Sequence, residues 1–409
     1  MPVPTNILFT RDLRPAYYDD FHCLAEQCRV SCCKGWSITF GKKDYLILKR
    51  QQGSPELNEM MSRCLHRIRK GSDENSFYAE FDMEHNDCPL LRSDGLCALQ
   101  AENGHEVLPL VCRNFPRGQA YLPSGYLEHS LVPSCEAVLA LLWAHPEGID
   151  FVSDPIEDSK QQTTIKIPKN NILTMYFQEI RSWCIDMLQD RRWSLPERIL
   201  RMGAALKKLE DDNTDIPLWL HHAEKIANGT EISLPDDRER DRVLPMFLIN
   251  NIRILMLGNN QSLDFVALKK EIISAFNMEV DLATSHANIS LQPWYAARAR
   301  FDERFAEQEY FMENLAVTAF FCMHLPDVES VSSIWKSFVN FCNLYSFYRF
   351  IAVMSCHEES AGDRNSLFRA IVHASRILLH STGRLNRFRD EFFEHDSATL
   401  AHMAVLLSG

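Results

Sequence analysis

Residues 21–36 read FHCLAEQCRVSCCKGW. Four cysteines, Cys23, Cys28, Cys32 and Cys33, fall within 11 residues, and the run closes on Lys34, Gly35 and Trp36. No helical or strand periodicity organises this stretch, so what it contributes to the fold is sulfur rather than apolar burial.

Working outward, the same signal returns three times. In DCPLLRSDGLCALQ, Cys88 and Cys97 flank a turn marked by Asp94-Gly95, with Pro89 after the first thiol. Cys112 follows in LPLVCRNFPRG and Cys135 in LVPSCEAV. Nine of the 13 cysteines thus lie in the first 135 residues; Cys184, Cys322, Cys342 and Cys356 sit singly in apolar helical contexts, where a free thiol acts as a small hydrophobe, and Cys64 reads the same way.

The amino terminus, MPVPTNILFTRDL, breaks its short apolar patch at Arg11, unlike a signal peptide. The most apolar later run, Phe338 to Met354, contains Asn340, Asn343, Ser346 and Arg349, so a buried helix is expected there rather than a membrane span. A cytoplasmic protein with reduced thiols follows, and the cysteines are not expected to form a disulfide framework. Soft thiolates presented from turns suit zinc or an iron-sulfur cluster. The candidate metal ligands are Cys23, Cys28, Cys32, Cys33, Cys88, Cys97, Cys112 and Cys135. Spacing leaves the metal open: only Cys28 to Cys32 has zinc-knuckle spacing, and the adjacent Cys32 and Cys33 point in different directions from an extended backbone. His85, three residues before Cys88, has a spacing that could add a ligand.

The series F-x-C-x4-C-x3-C-C-x-G-W, C-P-L-L-x4-L-C, C-R-N-F-P-R and S-C-E-A resembles the bacterial flagellin lysine N-methylase family, and residues 17 to 140 resemble cysteine-rich domains described as zinc- or iron-chelating. The resemblance implies methyl transfer from S-adenosylmethionine to lysine side chains of flagellin, and a [4Fe-4S] cluster held by some of these cysteines, with zinc as the alternative metal. A non-catalytic metal-binding or electron-transfer protein acting through a protein partner is the rival reading.

No G-x-G occurs anywhere in the chain, so the donor is not expected on a nucleotide-binding fold. Aromatic rings would hold a cationic sulfonium and a lysine stem, which makes Trp36, Tyr17, Tyr18, Tyr121 and Tyr126 candidates. Arg113 and Arg117, beside Cys112 and Pro116, could offset thiolate charge or grip the donor carboxylate; Trp36, Arg113 and Arg117 form the expected cofactor-binding set. No carboxylate pair or Ser-His-Asp order identifies a catalytic base. The net charge of −12 argues against a nucleic-acid partner.

The organisation expected is mainly α, with a cysteine-rich α+β region over 1–145, a polar, Pro-marked linker or excursion over 146–170, and a helical bundle over 171–409. Apolar residues at Ile172, Tyr176, Ile180, Trp183 and Met187 make a 3.6-period stripe, and Ser194-Leu-Pro-Glu197 is a capping box. Arg298, Arg300, Arg304, Arg384, Arg387 and Arg389 are candidates for docking a protein substrate.

Overall fold

A computed structural model describes residues 3–83, 87–122, 124–156, 162–167, 175–212, 215–232, 234–258, 262–276, 289–326, 331–358, 362–380 and 382–409. The architecture is mainly α, with a cysteine-rich α+β amino-terminal region packed on helices.

The amino-terminal half contributes strands β1 (Val3–Leu8), β2 (Arg11–Pro15), β3 (Thr39–Phe40), β4 (Leu65–Arg67), β5 (Ala79–Phe81), β6 (Arg117–Tyr121) and β7 (Tyr126–Leu131). Its helices are α1 (Lys42–Leu48), α2 (Pro55–Cys64), α3 (Ala98–Asn103), α4 (Leu110–Asn114) and α5 (Glu136–Trp143). The stretch expected as a linker or excursion supplies two further strands. β8 (Phe151–Pro155) pairs antiparallel with β2, and β9 (Gln162–Ile167) pairs antiparallel with β1, from Val3↔Ile167 to Leu8↔Gln162. β-Branched residues in QTTIKI explain why polar sequence takes this form. The four-stranded sheet runs β6-β7-β2-β8, with β2 and β7 parallel, and a smaller sheet runs β3-β5-β4.

The helical half contains α6 (Phe177–Leu188), α7 (Leu195–Asp212), α8 (Ile216–Gly229), α9 (Asp237–Met256), α10 (Leu263–Ala275), α11 (Gln292–Arg304), α12 (Glu309–Cys322), α13 (Val331–Met354), α14 (Arg364–Leu378), α15 (Thr382–Glu394) and α16 (Leu400–Leu407). Ile172 of the expected stripe lies outside the described residues, while Ile180 and Met187 are buried as the periodicity requires. At α7 the Ser194 backbone N–H and hydroxyl both donate to the Glu197 carboxylate, at 3.1 and 2.6 Å.

α13 is apolar on every side, and such a helix must be surrounded. Helices α7, α9, α11, α14, α15 and α16 all pack on it. Some of its polar groups are satisfied internally: Asn251 donates to Ser346 at 2.9 Å, and Tyr348 shares a hydrogen bond with Ser375 at 2.9 Å. No described helix is long and apolar enough to cross a membrane. α7 approaches α13 closely at Gly203, where a Cβ would run into the Phe338 ring.

Two apolar cores result. The large one reaches from Tyr17, Phe21 and Val30 through Leu131 and α5 to Leu407. The small one, Ile38 to Leu108, lies wholly in the cysteine-rich region. The four-stranded sheet therefore belongs with the helices. Tyr17 meets Thr318 at 3.0 Å, Asn314 donates to the Leu142 and His145 carbonyls, and the buried Arg181 pairs with the buried Glu128, one of its N–H groups donating at 2.8 Å.

Candidate thiolate centre and its seam with the helices

Each thiol is placed by a turn or a helix start. Gly35 has φ +89°, a left-handed conformation that glycine adopts without cost. The chain reverses there, and the Trp36 indole N–H donates to the Cys32 carbonyl at 2.7 Å. The turn expected at Asp94-Gly95 forms, with Gly95 at φ +83° and the Arg92 N–H donating to the Leu96 carbonyl at 2.9 Å. That turn brings Cys97 into a bridge with Leu91, and the Cys88 N–H donates to the Cys33 carbonyl at 2.8 Å. Cys97 and Cys135 immediately precede α3 and α5, and Cys112 lies in α4.

Cys64 and Cys88 are buried in the small core, and Cys33, Cys97, Cys112 and Trp36 pack against it. Electrostatically these thiols sense one another. Cys33 is pushed well up by the hydrogen bond it gives Cys32, then by burial and by Cys88 and Cys97. Cys88 rises to about 12 through burial, with Cys97, Cys64 and Cys32 adding to it. Cys112 is also raised, by burial and then by Cys88, Cys32 and Cys97. On the other side of Cys32, Cys28 and Cys135 each rise to about 12, chiefly through burial, and both interact with Cys32. Cys23 is exposed.

Cys32 is the common neighbour, and it alone moves down, to about 7. The Cys33 hydrogen bond is the largest cause, and the Arg376 guanidinium acts in the same direction against burial. All 13 cysteines are free thiols, and among the described residues no three Cys, His, Asp or Glu side chains form a ready-made metal site. The donor chemistry nonetheless fits a thiolate-bound metal. Several thiols, buried or half-buried, that raise one another's pKa give up protons together only when a cation offsets the charge.

The helical half fastens this centre. Arg376, buried in α14, donates to the carbonyls of Lys34 at 2.9 Å, Val30 at 3.0 Å and Ser134 at 3.4 Å. His380 meets the Ser134 hydroxyl at 2.8 Å, and its ring lies edge-on to Trp36 at 4.2 Å. Burial and Arg376 hold this imidazole down near 4, so it is neutral at neutral pH. From α5, the buried Glu136 carboxylate accepts the Arg29 and Val30 N–H groups at 2.7 and 3.2 Å and the Arg29 guanidinium at 3.0 Å. It lies in the first turn of its helix, where the dipole favours negative charge.

A cleft of about 390 Å³ opens beside the seam, lined by Trp36, Asp44, Val111, Phe115, Arg117 and His380 among others. Arg117 lies over the Phe21 ring at 4.7 Å, and Arg113 turns away to the Glu106 carbonyl and carboxylate at 3.1 and 3.4 Å. Tyr17 is core, Tyr18 and Tyr126 pack against the large core, and Tyr121 is exposed with its ring edge-on to Phe9. His85 lies outside the described residues, as does the Arg384 side chain. Arg300 turns inward to the Cys356 and His357 carbonyls at 2.8 and 2.5 Å.

Arg376, His380, Ser134 and Glu136 were not singled out from the sequence. A usable signal existed in Arg369, His373 and Arg376, a polar stripe at helical spacing that His380 continues just past the helix end. Arg369 and His373 of that stripe pair with Asp264 at 2.9 and 2.7 Å.

A family profile described as the FliB lysine N-methylase C-terminal domain matches residues 181–406, more than half of the chain. The chain is 27% identical over 176 residues to the flagellar biosynthetic protein FliU of Salmonella muenchen, a match covering 42% of this chain and 94% of that protein. It is 29% identical over 168 residues to the lysine-N-methylases of Salmonella choleraesuis and Salmonella typhimurium, covering 40% of this chain and 40% of each of theirs. No solved structure matches.

Proposed function

The chain belongs to the FliB lysine N-methylase family, and from that premise we propose that it transfers a methyl group from S-adenosylmethionine to lysine side chains of flagellin. In this reading a [4Fe-4S] cluster held by amino-terminal cysteines is its cofactor. The observation that carries the reading is the seam. The half that matches the family profile reaches the thiol-bearing loop, Arg376 through the Val30 and Lys34 carbonyls and His380 through the Trp36 ring, which supports reading the two parts together. The printed names of the relatives, one for flagellar biosynthesis and two for lysine N-methylation, support the substrate.

Cys33, Cys88, Cys97 and Cys112 would hold the cluster, since they share the small core and act on one another; the same donors would accept zinc. When bound, a cluster supplies a Lewis-acidic or redox-active iron. The chain's own residues account for the rest. The lysine ammonium first gives a proton to solvent; the neutral nitrogen then attacks the sulfonium methyl carbon, and the carbon–sulfur bond breaks with its electron pair returning to sulfur, leaving a neutral thioether and a methylammonium. Attack needs neutral amine, whereas a free lysine titrates near about 10.4. Arg117 on the cleft wall would disfavour a second cation there and so lower the lysine pKa, with Asp44 on the same wall acting the other way. Trp36 and Phe115, edge to face at 4.8 Å, offer an apolar wall to the methylene stem.

Anaerobically prepared protein incubated with flagellin and S-adenosylmethionine should add methyl groups to lysines, read by peptide mass analysis. Metal-replete protein that leaves flagellin unchanged would instead point to a non-catalytic metal-binding or electron-transfer module.

A further inference from the structure

A cavity of about 770 Å³ lies in the helical half, between the start of α7 and helices α11, α12 and α13. Its link to the thiolate centre is Trp143, at the opposite end of α5 from Cys135, and the proposed reaction does not use it. Its size falls within the range of small-molecule sites, about 300 to 1,000 Å³.

Its walls combine rings and guanidinium groups. Trp143, Trp193, Phe301 and Tyr345 supply the rings. Of the arginines, Arg191 and Arg198 are both committed to the buried Glu313, at 2.8 and 2.5 Å, and Arg192 to Asp190 at 2.5 Å. Arg298 and Arg349, by contrast, share a single carboxylate, Asp302, each at 3.4 Å. Arg298 is pulled below its ordinary pKa by burial first and by Arg349 next. Among the described residues, Glu307 and Glu309 are exposed at the rim, and Asp241 accepts the Tyr295 hydroxyl. The buried indole N–H of Trp193 has no hydrogen-bond partner among the described residues. An under-compensated guanidinium pair and aromatic walls are complementary to negative charge on a flat body.

We propose that this cavity binds a small organic anion with a planar aromatic body, its carboxylate or phosphate taken by Arg298 and Arg349 and its ring lying against Trp143, Trp193 or Phe301. The site is independent of the thiolate centre.

Calorimetric titration of the full chain with adenosine monophosphate, S-adenosylhomocysteine and neutral adenosine tests this, with quenching of tryptophan fluorescence as a second readout. At least one anion should bind, with adenosine at least about tenfold weaker, and Arg349→Gln and Arg298→Gln should each weaken it about tenfold. Binding of adenosine monophosphate alone identifies a phosphate ligand and binding of S-adenosylhomocysteine alone an amino-acid carboxylate; either supports the site only where Arg298→Gln or Arg349→Gln weakens it, because S-adenosylhomocysteine also has the methyl-donor site available. Arg349→Lys, which keeps the charge, should retain more affinity than Arg349→Gln, and supplies the comparison with Arg298→Gln if Arg349→Gln does not fold. Failure of both anions to bind, adenosine binding as tightly as they do, or affinity unchanged in the glutamine variants would overturn the proposal. Because binding is measured rather than turnover, that failure is distinguishable from absence of methyl transfer.

Discussion

In the small core, Cys64 and Cys88 are buried among Ile38, Phe40, Leu57, Phe81 and Leu90, and three more cysteines pack against them. In the large core the equivalent places belong to rings, Phe338, Phe341, Phe347 and Phe350 on α13 alone, and Cys184, Cys342 and Cys356 are isolated fillers. A helix walled by phenylalanine supplies its own stability through buried apolar area. A few short strands and helices cannot bury comparable area, and regions of that size usually gain stability from a crosslink or a metal. The contrast makes sulfur in one core a replaceable volume and in the other the main candidate for the missing stability.

The strongest way to break the comparison is to remove sulfur from each core. Cys88→Ser and Cys112→Ser should abolish metal retention and lysine methylation, whereas Cys342→Ser and Cys184→Ser should leave both near wild type; metal-to-protein ratio and peptide mass analysis decide. Equal losses at all four would mean that the amino-terminal thiols are ordinary filler.

Next in size is the pair joining β7 to α6. Arg181→Ala or Glu128→Ala leaves one buried charge without its partner, and should cost about 3 to 5 kcal/mol in denaturant unfolding. Within the helical core, Gly203→Ala drives a methyl into the Phe338 ring, and about 1 to 3 kcal/mol of destabilisation is expected without loss of metal.

The smallest effect is a pH response. His324 and His380 are both held near 4 in the fold, by burial first and then by Arg181 and Arg376 respectively, against an ordinary value of 6.5. Each binds its proton more weakly folded than unfolded. Their contribution is therefore complete above about pH 6.5 and is lost as pH falls toward 4. Protection against hydrogen exchange over residues 30–36, where His380 and Arg376 hold the loop, should fall between pH 7 and 5, once corrected for the slower intrinsic exchange, before α13 responds.

Much of the helical core was legible in the sequence because 3.6-residue periodicity is a local property: the apolar run from Phe338 to Met354 reads as a buried helix and is one. The turns at Gly35 and Asp94-Gly95 were legible for the same reason. Long-range pairing was not. Nothing local in residues 146–170 says that they return as β8 and β9 to strands more than a hundred residues earlier. The boundary near residue 145 likewise hides the fact that Tyr17, Leu131 and α5 pack into the helical core. At the candidate site, the cysteines announced themselves by number, whereas Arg376 and Glu136 act by donating to, or accepting from, backbone groups, and backbone carries no sequence signature. Arg113 and Arg117 look equivalent beside Cys112, yet one faces Glu106 and the other the cleft.

Hydrogen exchange with mass spectrometry on the full chain, before and after anaerobic chelation of its metal, tests the division between the two cores most directly. Protection should collapse over residues 36–115 and persist over 334–378. Unchanged protection in both segments, or equal loss in both, would contradict a metal-dependent small core standing on a self-sufficient helical one.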